Sequence, residues 1–343
     1  MGEETMEHKP FSRVFAVIVA LENYRKATNG MSLPNVDFAH ADAEAFAAIV
    51  KTIFVDMSSD DIEVRTFKDS DASLIAIRDE ILYAIRCLDE EYLFIFYYAG
   101  HGFHGASGNR LSAFDTSSTN IEGTTLSMRD DLLTPLSDSA CRRALVFVDA
   151  CAAPFSDVVD SRDVITDLNI DEVEAFLDSG WYLGAFLSCS PGEKSYPSSK
   201  LGHGIWTHFL LEALSGRAES ALTRERWLTD VSLRDYLRNE VPRFITKETP
   251  IRGSQTPQAI LDGSNTFRIH FVPKPPTVPS DAALAGIKLR NQSDYLEGTE
   301  TGAIKYLDGF KRGNTVPTDI NDYADRWCQR LLTDQVADEL QTL

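Results

Sequence analysis

The sequence predicts an α/β protein built on a mostly parallel sheet with helices on both faces. Three observations predict it. First, Arg143-Ala-Leu-Val-Phe-Val-Asp-Ala-Cys151 and Tyr92-Leu-Phe-Ile-Phe-Tyr-Tyr-Ala-Gly-His-Gly102 are nearly continuous apolar runs, as expected of strands buried on both sides in a parallel sheet. Second, such runs alternate along the chain with segments of helical spacing, the rhythm of βαβ units. Third, both runs end in chemically active residues, one in Asp149-Ala150-Cys151 and the other in Gly100-His101-Gly102. In open α/β sheets, sites form outside the carboxyl ends of strands. Neighbouring strands of this kind put a thiol and an imidazole on one rim, the nucleophile-plus-base pairing of covalent catalysis.

Taken in order, Val14-Phe-Ala-Val-Ile-Val-Ala-Leu21 is a buried strand, followed by a loop through Asn29-Gly30 to Pro34. Val36, Ala39, Ala43, Phe46, Ile49 and Val50 recur at helical spacing over 36–54, with Asn35 or Asp37 as cap. Asp61 to Phe67 alternates apolar and polar residues and reads as a strand. A helix capped by Asp71 or Ser73 runs to about Leu88, and the His101 strand follows. Residues 103–127, rich in Gly, Ser, Thr and Asn, read as loops or a hairpin leading to Ala113-Phe-Asp115. Ser127 to Leu136 is a short helix with a Ser-x-x-Asp capping signal, leading into the Cys151 strand.

Past Cys151 lies an Asp-rich polar segment, Pro154 to Leu168, that contains Arg162; a segment this long without an apolar pattern is functional or disordered. A short helix is expected at 170–178, a strand over Trp181 to Ser188, a helix from His203 to Ser215 stopped by Gly216, a helix from Leu228 to Phe244, and a closing strand at Phe267 to Phe271. Val272-Pro-Lys-Pro-Pro-Thr-Val-Pro279 carries four prolines in eight residues and reads as a stiff linker. The organisation is therefore an N-terminal tail (1–11), one α/β domain (12–272), a Pro-rich linker (273–280) and a small helical extension (281–343) with its clearest helix at 319–342.

Composition narrows the function. A chain of 343 residues, 43% hydrophobic, can bury a large core. Its formal net charge of -19 repels phosphate backbones, so no nucleic-acid partner is expected, while a cationic substrate is attracted. The five cysteines are odd in number, widely spaced and without a CxxC, which argues against a disulfide framework or structural zinc. Free thiols, a polar acidic start and the lack of a membrane-length apolar run suit a cytoplasmic protein with no membrane partner.

The motifs resemble those of caspase-like cysteine peptidases, in particular the bacterial and metacaspase branch. Five pieces match in order over roughly residues 12–272. They are the opening strand with Ala41-Asp-Ala-Glu-Ala-Phe46; Tyr97-Tyr-Ala-Gly-His-Gly102; Val148-Asp-Ala-Cys151; Leu187-Ser-Cys-Ser-Pro-Gly-Glu193 with Gly202-His-Gly-Ile-Trp-Thr207; and Gln255-Thr-Pro-Gln258. The resemblance implies a caspase-like three-layer α/β/α fold on six strands and a Cys/His dyad. His101 would act as general base or acid, Cys151 as nucleophile, and the N–H groups of Gly102 and Cys151 as the oxyanion hole. Caspases proper select Asp through an arginine just before the position of Asp42, and Leu33 to Asp42 contains no basic residue. Metacaspases bind Arg or Lys through two acids, here Asp42 and Asp149, with Ala99 and Ser188 beside them in the substrate site.

The implied partners are protein or peptide substrates with a basic P1 residue, plus an activating protease or regulatory partner. Family members often mature by cutting the loop after the nucleophile, which makes Arg162 the expected cleavage site and Lys200 a second candidate. No cofactor is required. Calcium, which some metacaspases hold with acids, is the one candidate ion: Asp115, Asp130 and Asp131 fall near the matching places, but the fourth is Val158, with Asp157 adjoining. Bacterial relatives are associated with defence and programmed death.

Blander readings stand beside these. Cys151 would also suit a buried core thiol, and Asp42 an ordinary helix cap. His104 reads as a loop histidine, His203 as a cap and loop contact at a helix start, and Cys189, Tyr196 and Trp206 as packing residues. The alternative function is a catalytically silent interaction module on the same fold; its usual mark is a lost Cys or His, and both are present.

Overall fold

The computed structural model describes residues 11–26, 32–54, 57–105, 108–151, 182–190, 192–261 and 266–273, with backbone placement alone at His104, Gly105 and Cys151. The expected loop at 154–168 with Arg162, the helices at 170–178 and 319–342, Asp157, Val158, the extension 281–343 and nearly all of the linker lie outside the described residues.

The strands are β1 (Arg13–Ala20), β2 (Ile62–Lys68), β3 (Tyr92–Gly105), β4 (Gly108–Ser112), β5 (Thr125–Ser127), β6 (Arg143–Cys151), β7 (Tyr182–Leu187), β8 (Pro197–Ser198), β9 (His203–Gly204), β10 (Trp227–Thr229), β11 (Gln258–Ile260) and β12 (Arg268–Phe271). The helices are α1 (Ala39–Ile53), α2 (Leu74–Cys87), α3 (Thr134–Ser137), α4 (Ile205–Leu214) and α5 (Asp230–Glu248). The central run has spatial order β11-β7-β6-β3-β1-β2, parallel throughout except that β11 opposes β7. β4 folds back on the end of β3 and β5 pairs with β4, so of the two readings of the polar stretch, loops or a hairpin, the hairpin is the one formed.

The apolar runs are explained by burial on both faces. Phe15, Val17 and Val19 of β1, Phe94, Phe96 and Tyr98 of β3, and Val146 and Val148 of β6 pack with α2 and α3. The alternate residues Val14, Ala16, Ile18, Leu93, Ile95, Tyr97, Leu145 and Phe147 pack with α1, α4 and α5. The result is the expected three-layer α/β/α arrangement. The same alternation puts Ala99 on the α1 side, and Asp149, two residues past Phe147, reaches the same side.

Several boundaries differ from the sequence reading. Neither Asn35 nor Asp37 caps α1; Phe38, in the left-handed region at φ 68, precedes it, and Glu22 Oε1 accepts from the His40 N–H at 3.0 Å. The cap is thus supplied from another loop, which local spacing cannot show. Ser73 does cap α2, accepting from Ala76 N. His203 and Gly204 form a short strand paired with β8, and the helix starts only at Ile205. Leu228 belongs to β10; Thr229 and Ser232 then build a capping box, and α5 continues to Glu248. The closing strand β12 pairs with β10 outside the central sheet, whose edge is β11. A compact unit closes at Val272, whose N–H donates to Arg226 O at 2.9 Å.

Candidate active site

β1 has β2 on one side and β3 on the other, so the chain reverses its direction of travel across the sheet between β1 and β3. In open α/β sheets a crevice opens at the carboxyl ends of the strands at this point. β3 and β6 are adjacent and parallel, and their register sets His101 directly opposite Cys151. The two residues singled out by the sequence thus stand side by side on neighbouring backbones at that rim. Gly102 follows in β3 and is buried.

The imidazole of His101 is held on several sides. Nε2 lies 2.8 Å from Pro34 O. A carbonyl only accepts, so in the neutral ring Nε2 carries the proton and Nδ1 the lone pair. The Tyr24 ring stacks against it, centroids 5.2 Å apart and planes 27° from parallel. The Tyr24 hydroxyl accepts from the His101 N–H at 3.0 Å and pairs with Ser112 Oγ at 2.9 Å, while Tyr98 Oη lies 2.9 Å from His101 O. A Cβ at Gly100 would collide with that Tyr98 hydroxyl. Burial lowers the His101 pKa, and the Pro34 carbonyl pulls it partly back. Burial also pushes the Tyr24 phenol up to about 12, so it stays neutral. The loop bearing Tyr24 is clamped by Asp69, whose carboxylate accepts from Glu22 N at 2.9 Å and Asn23 N at 3.0 Å.

Beside His101 opens a cleft of about 160 Å³, lined among others by Val36, Asp42, Ala99, Asp149 and Gly204, with Ser195 to Pro197 as a further wall. Asp42 is 2% exposed and Asp149 8%. Asp42 accepts from His203 Nδ1 at 2.6 Å and from Gly204 N at 3.1 Å. Asp149 accepts from Ser195 Oγ at 2.6 Å and from Thr207 Oγ1 at 2.7 Å. Because Thr207 gives its proton to Asp149, Tyr97, 2.9 Å away, must donate to Thr207. Gln255 Nε2 donates to Ser195 Oγ at 3.0 Å and to Ser188 O at 3.1 Å. The carboxylates flank Gly204 so closely that a Cβ there would lie 2.8 Å from Asp149 Oδ2 and 3.1 Å from Asp42 Oδ2. Burial pushes the Asp42 carboxyl up to about 6; the His203 hydrogen bond opposes this and the charge of Asp149 adds to it. Burial likewise raises Asp149 against its hydroxyl donors. Among the described residues, the groups that meet these two desolvated carboxylates are the His203 ring and hydroxyl and backbone donors, and a site of this chemistry suits a cationic group.

The other predicted residues sit as follows. Ala99 lines the cleft, whereas Ser188 is fully buried behind it, its Oγ 3.3 Å from Ala150 O. Cys189 is also buried, Sγ 3.4 Å from the same carbonyl. Asp115 accepts from Leu74 N at 2.8 Å at the start of α2, Asp131 pairs with Arg78 at 2.9 Å, and Asp130 accepts from Ser127 Oγ at 3.0 Å. Among the described residues no group of three His, Cys, Asp or Glu side chains is disposed to hold a metal ion. Lys200 is exposed and lies 3.2 Å from Glu248. Sequence reading gave no role to Tyr24, Pro34, Ser195, Thr207 or Gln255. The signal for Tyr24 was its place on the loop leaving the first strand, at the sheet end where sites form. Gln255 and Thr207 stood inside quoted motifs, but their partners come from distant segments.

A caspase-domain family model matches residues 13–262. Among solved structures, the chain is similar to a protein of Geobacter sulfurreducens, at 16% identity over 74% of this chain and 94% of that one, with a TM-score of 0.48. It is also similar to pro-sf-caspase-1, at 17% identity over 75% and 93% of the two chains, with a TM-score of 0.46. No curated protein matches the chain. No described helix is long and apolar enough to cross a membrane.

Proposed function

The chain belongs to the caspase-domain family, and on that premise we propose that it is a metacaspase-type cysteine endopeptidase that cuts proteins after Arg, with Lys second. The observation that carries the specificity is the pair of buried carboxylates, Asp42 and Asp149, flanking Gly204 in the cleft beside His101. An arginine side chain lays its methylenes against Val36 and Ala99 and its guanidinium between the acids. Its scissile carbonyl then lies at the rim where His101 and Cys151 stand opposite each other.

In this reading His101 Nδ1 takes the Cys151 proton and the thiolate attacks the carbonyl carbon. The N–H groups of Gly102 and Cys151 receive the oxyanion. Collapse breaks the C–N bond, and His101 returns the proton to the departing amine. Water then attacks the thioester with His101 as base, releasing the new carboxylate and restoring the thiol. Burial keeps the imidazole neutral, and so able to act as base, to lower pH than a solvated histidine. Cutting at Arg162, in the segment after Cys151, would mature the enzyme, with Lys200 as the second site; a protease acting there would be its activating partner.

The test is a positional-scanning fluorogenic peptide library on the wild type, Cys151→Ala, His101→Ala and Asp149→Ala, with mass spectrometry of the expressed chain. The expected result is turnover of Arg and Lys peptides that vanishes in the first two variants and loses its P1 preference in the third. A P1 preference for Asp would overturn the pocket assignment. Turnover surviving in Cys151→Ala would overturn the peptidase reading, and an intact chain under conditions of peptide turnover would end the maturation idea.

A further inference from the structure

Three of the donors to the cleft acids come from one short piece of chain. Ser195, just before β8, donates to Asp149, and His203 and Gly204 of β9 donate to Asp42 through a ring nitrogen and a backbone N–H. β8 and β9 pair antiparallel, and the turn closing them has Gly202 at φ 68 with its N–H on Ser198 O at 2.8 Å. Gly204 N occupies Asp42 Oδ2 and His203 Nδ1 occupies Oδ1, so the two donors fix both oxygens of the carboxylate. The His203 ring does not line the cleft, and its side chain is 24% exposed. It therefore acts on anything in the cleft through Asp42.

We propose that His203 is a positioning residue that sets the preference for a basic P1 side chain, by holding the Asp42 carboxylate in the orientation that meets the cation. The inference rests on the reading of Asp42 and Asp149 as the recognition pair, and adds the residue on which that pair depends. A backbone N–H alone leaves a carboxylate free to swing about its remaining hydrogen bond, whereas two donors on separate oxygens fix its plane. Ionisation follows the same contact. The groups facing Asp42 are Asp149 on β6, Tyr97 on β3 and His203 on β9, with His208 of α4 beyond, its ring centroid 6.4 Å from that of His203. Of these, His203 gives the hydrogen bond that favours the ionised acid; Asp149 opposes it. Removing the imidazole leaves only the Gly204 N–H to oppose burial and the charge of Asp149, and the Asp42 proton is held to higher pH.

The experiment compares kcat/KM on a peptide with Arg at P1 and its citrulline analogue, which keeps the shape and removes the charge. The variants are His203→Ala, His203→Asn, Asp42→Asn and the His203→Ala/Asp42→Asn pair. His203→Ala should lower the Arg-to-citrulline ratio about 10- to 100-fold, the range for losing a hydrogen bond to a charged group. Most of the loss should appear in KM, and the acid limb for the Arg peptide should move to higher pH while that for citrulline stays. His203→Asn, which keeps a donor near the Nδ1 position, should recover the ratio to within about threefold, and added imidazole should rescue His203→Ala. In the Asp42→Asn background, His203→Ala should change the ratio no further.

An unchanged ratio in His203→Ala, or a loss that adds to that of Asp42→Asn, overturns the role of His203. A wild type without preference for Arg over citrulline, or a preference that survives Asp42→Asn, overturns the pocket reading itself. The two failures are therefore distinguishable. If His203→Ala does not fold, His203→Asn and His203→Gln carry the comparison: both offer an amide donor, but only Asn has the reach of Nδ1, so a Gln variant that matches Asn in ratio and pH profile overturns the proposal.

Discussion

Tyr24→Phe removes one oxygen and leaves the ring stacked on His101. The lost hydroxyl accepts from the His101 N–H at 3.0 Å and pairs with Ser112 Oγ at 2.9 Å, in a residue only 7% exposed. An N–H stripped of its acceptor in such a place costs about 1–3 kcal/mol. If the whole penalty falls on the placement of His101 for proton transfer, kcat drops roughly 5- to 140-fold. Tyr24 does not line the cleft, so KM should stay within about twofold. Tyr24→Leu goes further, because water then reaches an imidazole whose pKa burial now lowers. That pKa should rise, and the acid limb of kcat should move to higher pH in the Leu variant but not in Phe. Steady-state kinetics across pH on an Arg peptide, with a thermal melt of each variant, makes the check. A Phe variant with unchanged kcat and a lowered Tm would show that the hydroxyl serves only packing, and the argument for His101 positioning would fall.

Three further outcomes are expected. Gly204→Ala places a Cβ 2.8 Å from Asp149 Oδ2, under the 3.4 Å of ordinary contact; the carboxylate must retreat, and kcat/KM for Arg peptides should fall about 100-fold, as for other misplacements of this order, which near-wild-type kinetics would refute. Calcium or a chelator should change peptide turnover less than about twofold, because Asp131 is committed to Arg78 and Asp115 to the start of α2; a tenfold calcium-dependent gain would reverse this. Asp42→Asn should gain stability relative to the wild type as pH rises. The folded chain holds the Asp42 proton up to about 6 and the unfolded chain releases it near 3.8, so between those values the native state binds more protons and loses stability with rising pH. The difference between the two proteins should widen by up to about 3 kcal/mol from pH 4 to pH 7 in denaturant titrations, and a flat difference would mean that Asp42 is already ionised at low pH.

How far the sequence reaches can be traced residue by residue. β1, β3 and β6 were legible because burial on both faces demands unbroken apolar runs, and the chemistry at the ends of β3 and β6 stood out against them. The Ser73 cap was legible as one of two candidates, with Asp71, because it acts within three residues. The α1 cap was not, since Glu22 reaches it from the loop after β1, and Phe38 adopts a backbone conformation that its own side chain disfavours. β10 was absorbed into the following helix because Leu228 fits an apolar helical position as well as a strand. β12 looked like one more strand of the main sheet, since its pattern says that it pairs and leaves open with what.

The site divides along the same line. Of the groups proposed to meet the substrate, His101 was visible at the end of its apolar strand, whereas Asp42 and Asp149 were singled out only through the resemblance to metacaspases. The supports of all three were not visible, because each crosses the fold: Pro34 and Tyr24 to His101, Thr207 and Ser195 to Asp149, His203 to Asp42 across 161 positions. That separation has a physical cause. A pair of buried carboxylates is costly to hold and unstable to small displacements, so each needs donors fixed by elements that the acid itself does not belong to. An acid stabilised only by its own helix would move with it. The β8–β9 hairpin and the start of α4 give Asp42 and Asp149 a shared frame, with Gly204 as the spacer that lets both approach. A side chain at 204, or a hairpin released from its Gly202 turn, should therefore disturb both acids at once while leaving the strands beneath them intact.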